Sequence, residues 1–431
     1  MRPPLLYHIY VAATALLVPF FSWIEIRKLR AAGYHAVRAH EKLGHATEPR
    51  SGSGPLIWFH AASVGESMSV LTLIAELGKI CPRTQFLITS GTATSAQMIA
   101  DRLPPRTVHQ FAPLDAGGPV KRFLRHWRPD GAVFVESELW PQMLRLTKDS
   151  DARMILVNAR MSDASRRAWQ KRPKTAAFVL SSFDLILTQN DKMAQVMANL
   201  HAPADRIARG INLKALSDPL KQDSALLAQV RTGIKGRPIW IAASTHKGEE
   251  EIVLNAHKKL QKRFPDLLLL LAPRHPARSP EIARILHQQG VSFSTRSKGE
   301  LPTNEDVYLA DTLGELGSWY ALSNVIFLGG SLKPIGGHNP FEVAQAGCGV
   351  LSGTEVFNFS ETYTEMVHRR AATLVENEDS LAQAVTRLLS DRTAEEEAGR
   401  AARDYVRGKS SHLTMIAQRL ARALHIEASQ S

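Results

Sequence analysis

Short apolar runs alternate with helical stretches twice over along this chain, and that rhythm leaves few folds open. The first series is 56–59 (LIWF), 86–89 (FLIT), 132–135 (AVFV), 154–157 (MILV) and 184–188 (DLILT). The second is 238–243 (PIWIAA), 267–272 (LLLLLA), 306–309 (DVYL), 324–329 (NVIFLG) and 349–351 (GVL). Near-continuous apolar strands belong to parallel sheets covered by helices on both faces. Between the series lies a polar stretch, about 212–237, with one predicted helix and a Gly/Pro-containing end. The expected class is α/β, with two Rossmann-like doubly wound domains facing a cleft. A Ser/Gly/Pro-rich stretch at 45–54 reads as a linker. Residues 378–427 have helical period and should close the fold. The expected divisions are 1–44, 45–215 and 216–431.

The N-terminus is a different kind of segment. Leu5 to Ile24 is 20 residues without a full charge, about the length a helix needs to cross a bilayer core. Tyr7, Tyr10 and Trp23 lie near its ends, where interfacial aromatics belong. Arg27, Lys28, Arg30, Arg38 and Lys42 follow it, and this positive flank puts the body of the protein in the cytoplasm. The expectation is a single-pass anchor helix in the inner membrane. A cleaved signal peptide fits less well, because no small-x-small site closes the apolar stretch. His8 and Pro19 interrupt a clean span and also suit a helix lying in the membrane surface.

Cys81 and Cys348 are the only cysteines, which gives no disulfide framework and no zinc pattern. The net charge of +12 predicts attraction to anions but does not choose among nucleic acid, lipid and phosphorylated small molecules. The basic residues are dispersed and no aromatic stacking cluster occurs, which argues against a nucleic-acid partner.

Six segments follow predicted strands and can carry chemistry. HAASVGES (60–67) is a small-residue turn into a helix bearing Glu66. Ser63 and Glu66 fit a capping box, in which Glu66 reaches back to the amide of Ser63, and Glu66 also fits a catalytic base. FVESELWP (134–141) puts Glu136 and Glu138 beyond a buried strand, either as catalytic carboxylates or as acids at a helix start. AASTHKGEEE (242–251) offers an anion site at a helix N-terminus, or simply a cap by Ser244 or Thr245. LAPRHPAR (271–278) carries Arg274, His275 and Arg278 at a strand end, where Arg274 suits a phosphate and His275 reads as structural. DTLGELGSWY (311–320) is a weak signal around Gly314, Glu315 and Leu316. GGSLKPIGGHNPFEVAQAG (329–347) is a glycine-rich loop into a helix bearing Glu342, suited to bring backbone amides to phosphate oxygens. It matches neither a Walker loop nor GxGxxG. No metal set and no cofactor is expected.

HAASVGE, FVESELWP, VNARMSD, QNDKMA, INLK, ASTHKGEEE, PRHPAR, DTLGEL and GGSLKPIGGHNPFE, in this order, resemble the motif series of the 3-deoxy-D-manno-octulosonic acid (Kdo) transferases. The resemblance implies a GT-B fold and an inverting transfer of Kdo from CMP-Kdo to the lipid A precursor (lipid IVA) in lipopolysaccharide biosynthesis. Carried over by motif, Glu66 is the general base, and Glu136 and Lys214 stabilise the transition state. Pro273 and Arg274, then Gly314, Glu315 and Leu316, then Asn339, Pro340, Phe341 and Glu342 bind CMP. The partners so implied are the CMP-Kdo donor, the lipid A precursor and anionic lipid of the inner membrane, with no nucleic acid. The basic run 165–174 (SRRAWQKRPK) fits lipid phosphates and a solvated helix face equally. The alternative is a GT-B transferase or epimerase acting on a UDP-sugar.

Overall fold

The computed structural model describes residues 2–210, 212–213 and 219–426. Seven strands form the first sheet: β1 (Leu56–His60), β2 (Gln85–Ser90), β3 (Thr107–Phe111), β4 (Gly131–Val135), β5 (Arg153–Ala159), β6 (Leu185–Thr188) and β7 (Ile207–Arg209). Their order is β3-β2-β1-β4-β5-β6-β7. The second sheet holds β8 (Ile239–Thr245), β9 (Leu268–Pro273), β10 (Phe293–Thr295), β11 (Val307–Leu309), β12 (Val325–Leu328), β13 (Gly349–Gly353) and β14 (Ala372–Val375). Here the order is β10-β11-β9-β8-β12-β13-β14. Neighbouring strands in both sheets pair in parallel. In each sheet the chain reverses its direction of winding beside the first strand, at β1/β4 and at β8/β12. Ligands of doubly wound sheets bind at such switch points.

The apolar runs are continuous because both faces of each sheet are covered. Along β1 and β4, Trp58, Ala132 and Phe134 pack into one core, while Ile57, Phe59, Val133 and Val135 pack into another. All five residues of β1 and all five of β4 are buried.

The chain divides into two units, Met1–Ser217 with Ser410–Ser431, and Asp218–Lys409. The C-terminal segment therefore departs from the expected division, which assigned 216–431 whole to the second domain. The helix Arg392–Ala423 begins in one unit and ends in the other. Ile416, Ala417, Leu420, Ala421 and Leu424 recur at helical spacing and join the core of Ile57 and Val133. A Cβ on Gly131 would lie 2.5 Å from Leu424, so the strand makes room for this tail.

The apolar N-terminal segment is one helix, α1 (Leu5–Ala31), long and apolar enough to cross a membrane by length and composition.

Candidate active site

Two strand edges gather the residues that the sequence singled out. On the first sheet, β1 ends at His60 and the helix Val64–Ile80 starts after a three-residue turn. Ser63 caps that helix by accepting from the Glu66 amide at 3.3 Å. Glu66 replies through Oε2 to the Ala62 amide at 2.9 Å, and Oε1 accepts from the Ser63 hydroxyl at 2.8 Å. The capping box thus closes on Ala62, one residue upstream of the expected Ser63. The cap holds the Glu66 carboxylate at the sheet edge.

Its neighbours are acidic. Burial first, then the negative charges of Glu138 and Glu136, lift the Glu66 carboxyl above its ordinary range, against the hydrogen bonds from Ser63 and Ala62. Glu138 goes the other way. Burial works to raise it, but the His60 imidazole and the Trp140 indole outweigh burial and hold it below the usual carboxylate range. His60 Nε2 lies 3.5 Å from Glu138 Oε2. The two carboxyls are thereby pushed in opposite directions.

Glu136 stands at the end of β4 with φ 55°, and Asn158 in β5 has φ 53°. Neither is glycine, so each stores strain of about 1–3 kcal/mol, which is found where side-chain direction matters. Asn158 Nδ2 donates to Glu136 Oε1 at 3.3 Å, and Arg160 Nε lies 3.7 Å from Glu136 Oε2. Asn158 Oδ1 accepts from the Leu213 amide at 3.4 Å. Lys214, next in sequence, lies outside the described residues.

Lys42, in sequence one of the cations after the apolar helix, reaches the backbone behind this turn. It is 4% exposed, and burial pushes its ammonium down to about 8, with Glu25 opposing. Its Nζ donates to the Gly91 carbonyl at 2.7 Å, and the Gly91 amide donates to the Ala62 carbonyl at 3.0 Å. A Cβ on Gly91 would lie 2.8 Å from that Ala62 oxygen, so only glycine allows the approach. Lys42 is therefore tied through one residue to the turn that holds Glu66. No sequence signal separates it from Arg27 or Lys28.

On the second sheet, β8 and β12 bring AASTHKGEEE and the glycine-rich loop together. The helix after β8 is Glu250–Gln261, so neither Ser244 nor Thr245 caps it and the anion-binding N-terminus expected there does not form. Glu249 organises the two loops instead. It is fully buried and accepts from the amides of His246 (2.9 Å), Gly330 (2.6 Å), Ser331 (2.8 Å) and Leu332 (2.9 Å). Three amides of the glycine-rich loop, Gly330 to Leu332, are thus occupied by a side chain of the same unit. In a run of three glutamates at a helix start, nothing in the sequence marks the first as buried.

Three imidazoles and Arg274 converge nearby. His246 Nε2 and His338 Nε2 are 2.9 Å apart, and the His275 ring lies 5.4 Å from that of His246. Burial, then His246, Arg274 and His275, push His338 down to about 4. With the Arg274 guanidinium beside these rings, the place suits an anion. Arg274 is exposed at the end of β9, with its amide donating to the Thr245 carbonyl at 3.0 Å. Arg278 is committed elsewhere, pairing with Glu250 at 2.7 Å and Glu281 at 3.1 Å. Gly314 adopts φ 84° just before Glu315, which Arg296 holds at 2.8 Å, and Leu316 opens the next helix. Asn339 caps the helix Pro340–Gln345 through the Phe341 amide at 3.3 Å and donates to Glu342 at 3.2 Å. Pro340 is buried, and the Phe341 ring is 1% exposed and stacks on Tyr405 at 6.0 Å, so these two side chains are core.

Buried His257 and half-buried His338 and His109 make stability pH-dependent. His338 and His257 are pushed down to about 4 and His109 to about 3, each chiefly by burial, from an ordinary value of 6.5. Below pH 6.5 the unfolded chain binds protons that the folded chain refuses, so stability falls as pH drops from 6.5 towards 4. Thermal melts across this range should show the fall, and His257→Gln should flatten it. A wild-type melting temperature that rose towards pH 4 would contradict the assignment.

Residues 37–217 match the family model described as 3-deoxy-D-manno-octulosonic-acid transferase (kdotransferase). The chain is 34% identical over 365 residues to the 3-deoxy-D-manno-octulosonic acid transferase of Rickettsia felis, covering 84% of this chain and 78% of that one. It is 34% identical over 351 residues to that of Haemophilus influenzae, covering 80% and 82%. Among solved structures it resembles UDP-GlcNAc 2-epimerase from Neisseria meningitidis, at TM-score 0.57 and 12% identity over 85% of this chain and all of that one. That last likeness concerns the fold alone: two parallel-sheet Rossmann-like units of GT-B type.

Proposed function

Since the chain belongs to the family of Kdo transferases, we propose that it transfers Kdo from CMP-Kdo to the lipid A precursor, with inversion at the anomeric carbon. The observation that carries this reading is Glu66, a capped, half-buried carboxyl raised by burial and by two acidic neighbours at a strand-to-helix turn. Such a group is more basic than an ordinary carboxylate, which suits it to take a proton from an attacking hydroxyl.

The reaction then runs as one displacement. Glu66 accepts the proton of the acceptor hydroxyl, the hydroxyl oxygen bonds to the anomeric carbon, and the bond to the CMP phosphate breaks. Charge grows on the leaving phosphate, and cations and oriented amides offset it. Arg274 suits this task, and Lys214 with Glu136 is assigned to the transition state. Gly314, Glu315, Leu316, Asn339 and Glu342 line the nucleotide site, while Pro273, Pro340 and Phe341 shape it through the backbone and the core. No metal or cofactor enters this scheme. The acceptor is a phosphorylated lipid, so anchorage by α1 at the cytoplasmic side of the inner membrane suits the substrate.

Arg274→Ala tests the donor site. Losing a charge-assisted contact to phosphate should weaken CMP binding roughly tenfold or more, and leave cytidine binding nearly unchanged. Titration calorimetry with CMP, cytidine and UMP reads this directly. Equal competition by UMP, or CMP affinity indifferent to Arg274, would count against CMP as the carrier.

A further inference from the structure

α1 meets the rest of the first unit near both of its ends. Tyr7, Val11, Thr14, Val18, Ser22, Ile26 and Leu29 are among its buried or half-buried positions, spaced three or four apart on one face. Tyr7 packs on Phe178 with ring centroids 5.0 Å apart. Tyr10 Oη donates to Asp115 Oδ2 at 2.7 Å, and Asp115 Oδ1 accepts from the Met143 amide at 2.6 Å. At the other end, Ile26 and Leu29 pack with Ala39, Ala96 and Phe111. These contacts tie a helix about 40 Å long to the globular unit at both ends.

A helix held in this way cannot also stand across a bilayer. Spanning would carry Tyr7 to Thr14 into the far half of the membrane, together with the groups that bind them. Asp115 stands just before the helix Gly117–Trp127, which exposes Lys121, Arg122 and Arg125, and hydrocarbon would reject these charges. The outer face of α1 is nonetheless strongly apolar. Leu16 is 81% exposed and Trp23 59%, and Leu5, Ile9, Phe20 and Phe21 are exposed with them. Exposed Arg2, Arg27, Lys28 and Arg30 flank this face, and Arg27 sits over the Trp23 ring at 5.4 Å.

We infer that α1 is an in-plane membrane helix: its inner face stays docked on the first unit and its outer face sinks into an anionic bilayer surface. The occupant is lipid rather than a second copy, because cations border both ends of the apolar face and a like-charged copy would meet them with the same sign. The arrangement keeps the globular unit, including the Lys42–Gly91–Ala62 contacts, pressed against the surface from which a lipid acceptor would come. It rests on the membrane reading above but not on the identity of the sugar transferred.

The test uses the full-length chain with single spin labels at Leu5→Cys, Leu16→Cys and Phe20→Cys, since the native Cys81 and Cys348 are buried. The protein is bound to vesicles of phosphatidylethanolamine and phosphatidylglycerol, and depth is read from accessibility to oxygen and to a nickel chelate. The expected result is three labels at one shallow depth, about 5–10 Å below the headgroups. A spanning helix would instead separate Leu5 and Phe20 by about 20 Å in depth, which would overturn the proposal. Spin–spin broadening between copies without lipid contact would assign the face to a second copy and overturn it too. Failure of the chain to bind vesicles would sink the membrane reading as well.

Discussion

Glu66→Gln should lower turnover by roughly 100- to 10,000-fold while CMP affinity changes by less than about twofold. Glutamine keeps one oxygen for the Ala62 amide, and its amide nitrogen can donate to the Ser63 hydroxyl, so the helix stays capped. What it loses is the ability to take a proton. The loss should therefore fall on kcat, with little change in nucleotide Kd or melting temperature. The wild-type pH profile gives a second reading. Burial and the charges of Glu138 and Glu136 raise Glu66, so kcat/KM should climb with pH through a limb above the ordinary carboxylate range. Near-normal turnover in the glutamine variant would remove Glu66 from the base role.

Glu249→Gln is the second large effect, and it acts on the fold of the second site. Four backbone amides converge on the two oxygens of Glu249. A glutamine offers one oxygen and turns an NH2 group towards the remaining donors. Two buried N–H groups then lose their partners, at about 1–3 kcal/mol each, or ~4 kcal/mol together. Chemical denaturation should show a midpoint lowered accordingly. CMP binding should also weaken by about tenfold or more, because the loop leading to Asn339 and Glu342 loses its fixed course. A variant with unchanged stability and unchanged CMP affinity would mean that Glu249 does not hold these loops.

The sheet interiors were legible in the sequence and the sheet edges were not. All ten apolar runs became strands. The four strands without such a run are β3, β7, β10 and β14, the outermost strand on each side of each sheet. An edge strand has a neighbour on one side only, so its sequence can be short and polar. TVHQF in β3 and IAR in β7 carry no apolar period of their own. The closing helices were equally legible as helices, but the return of residues 412–426 to the first core was not, because periodicity shows an apolar face and not its partner.

The candidate site divides along the same line. Glu66, Glu136 and Arg274 stand where strands end, and short motifs mark strand ends. Glu249 and Lys42 act through burial, which depends on what the fold brings over them. Both look like ordinary surface charges in sequence, one in a glutamate run and one in a basic flank. Phe341 shows the opposite case, a motif residue whose side chain serves the core.

The most direct measurement is a mass-shift assay with the purified full-length chain, CMP-Kdo generated in situ and tetraacylated lipid A precursor. The account predicts a product heavier by at least one Kdo unit, formed by the wild type and not by Glu66→Gln. A folded, CMP-binding wild-type protein that left the precursor mass unchanged would contradict it.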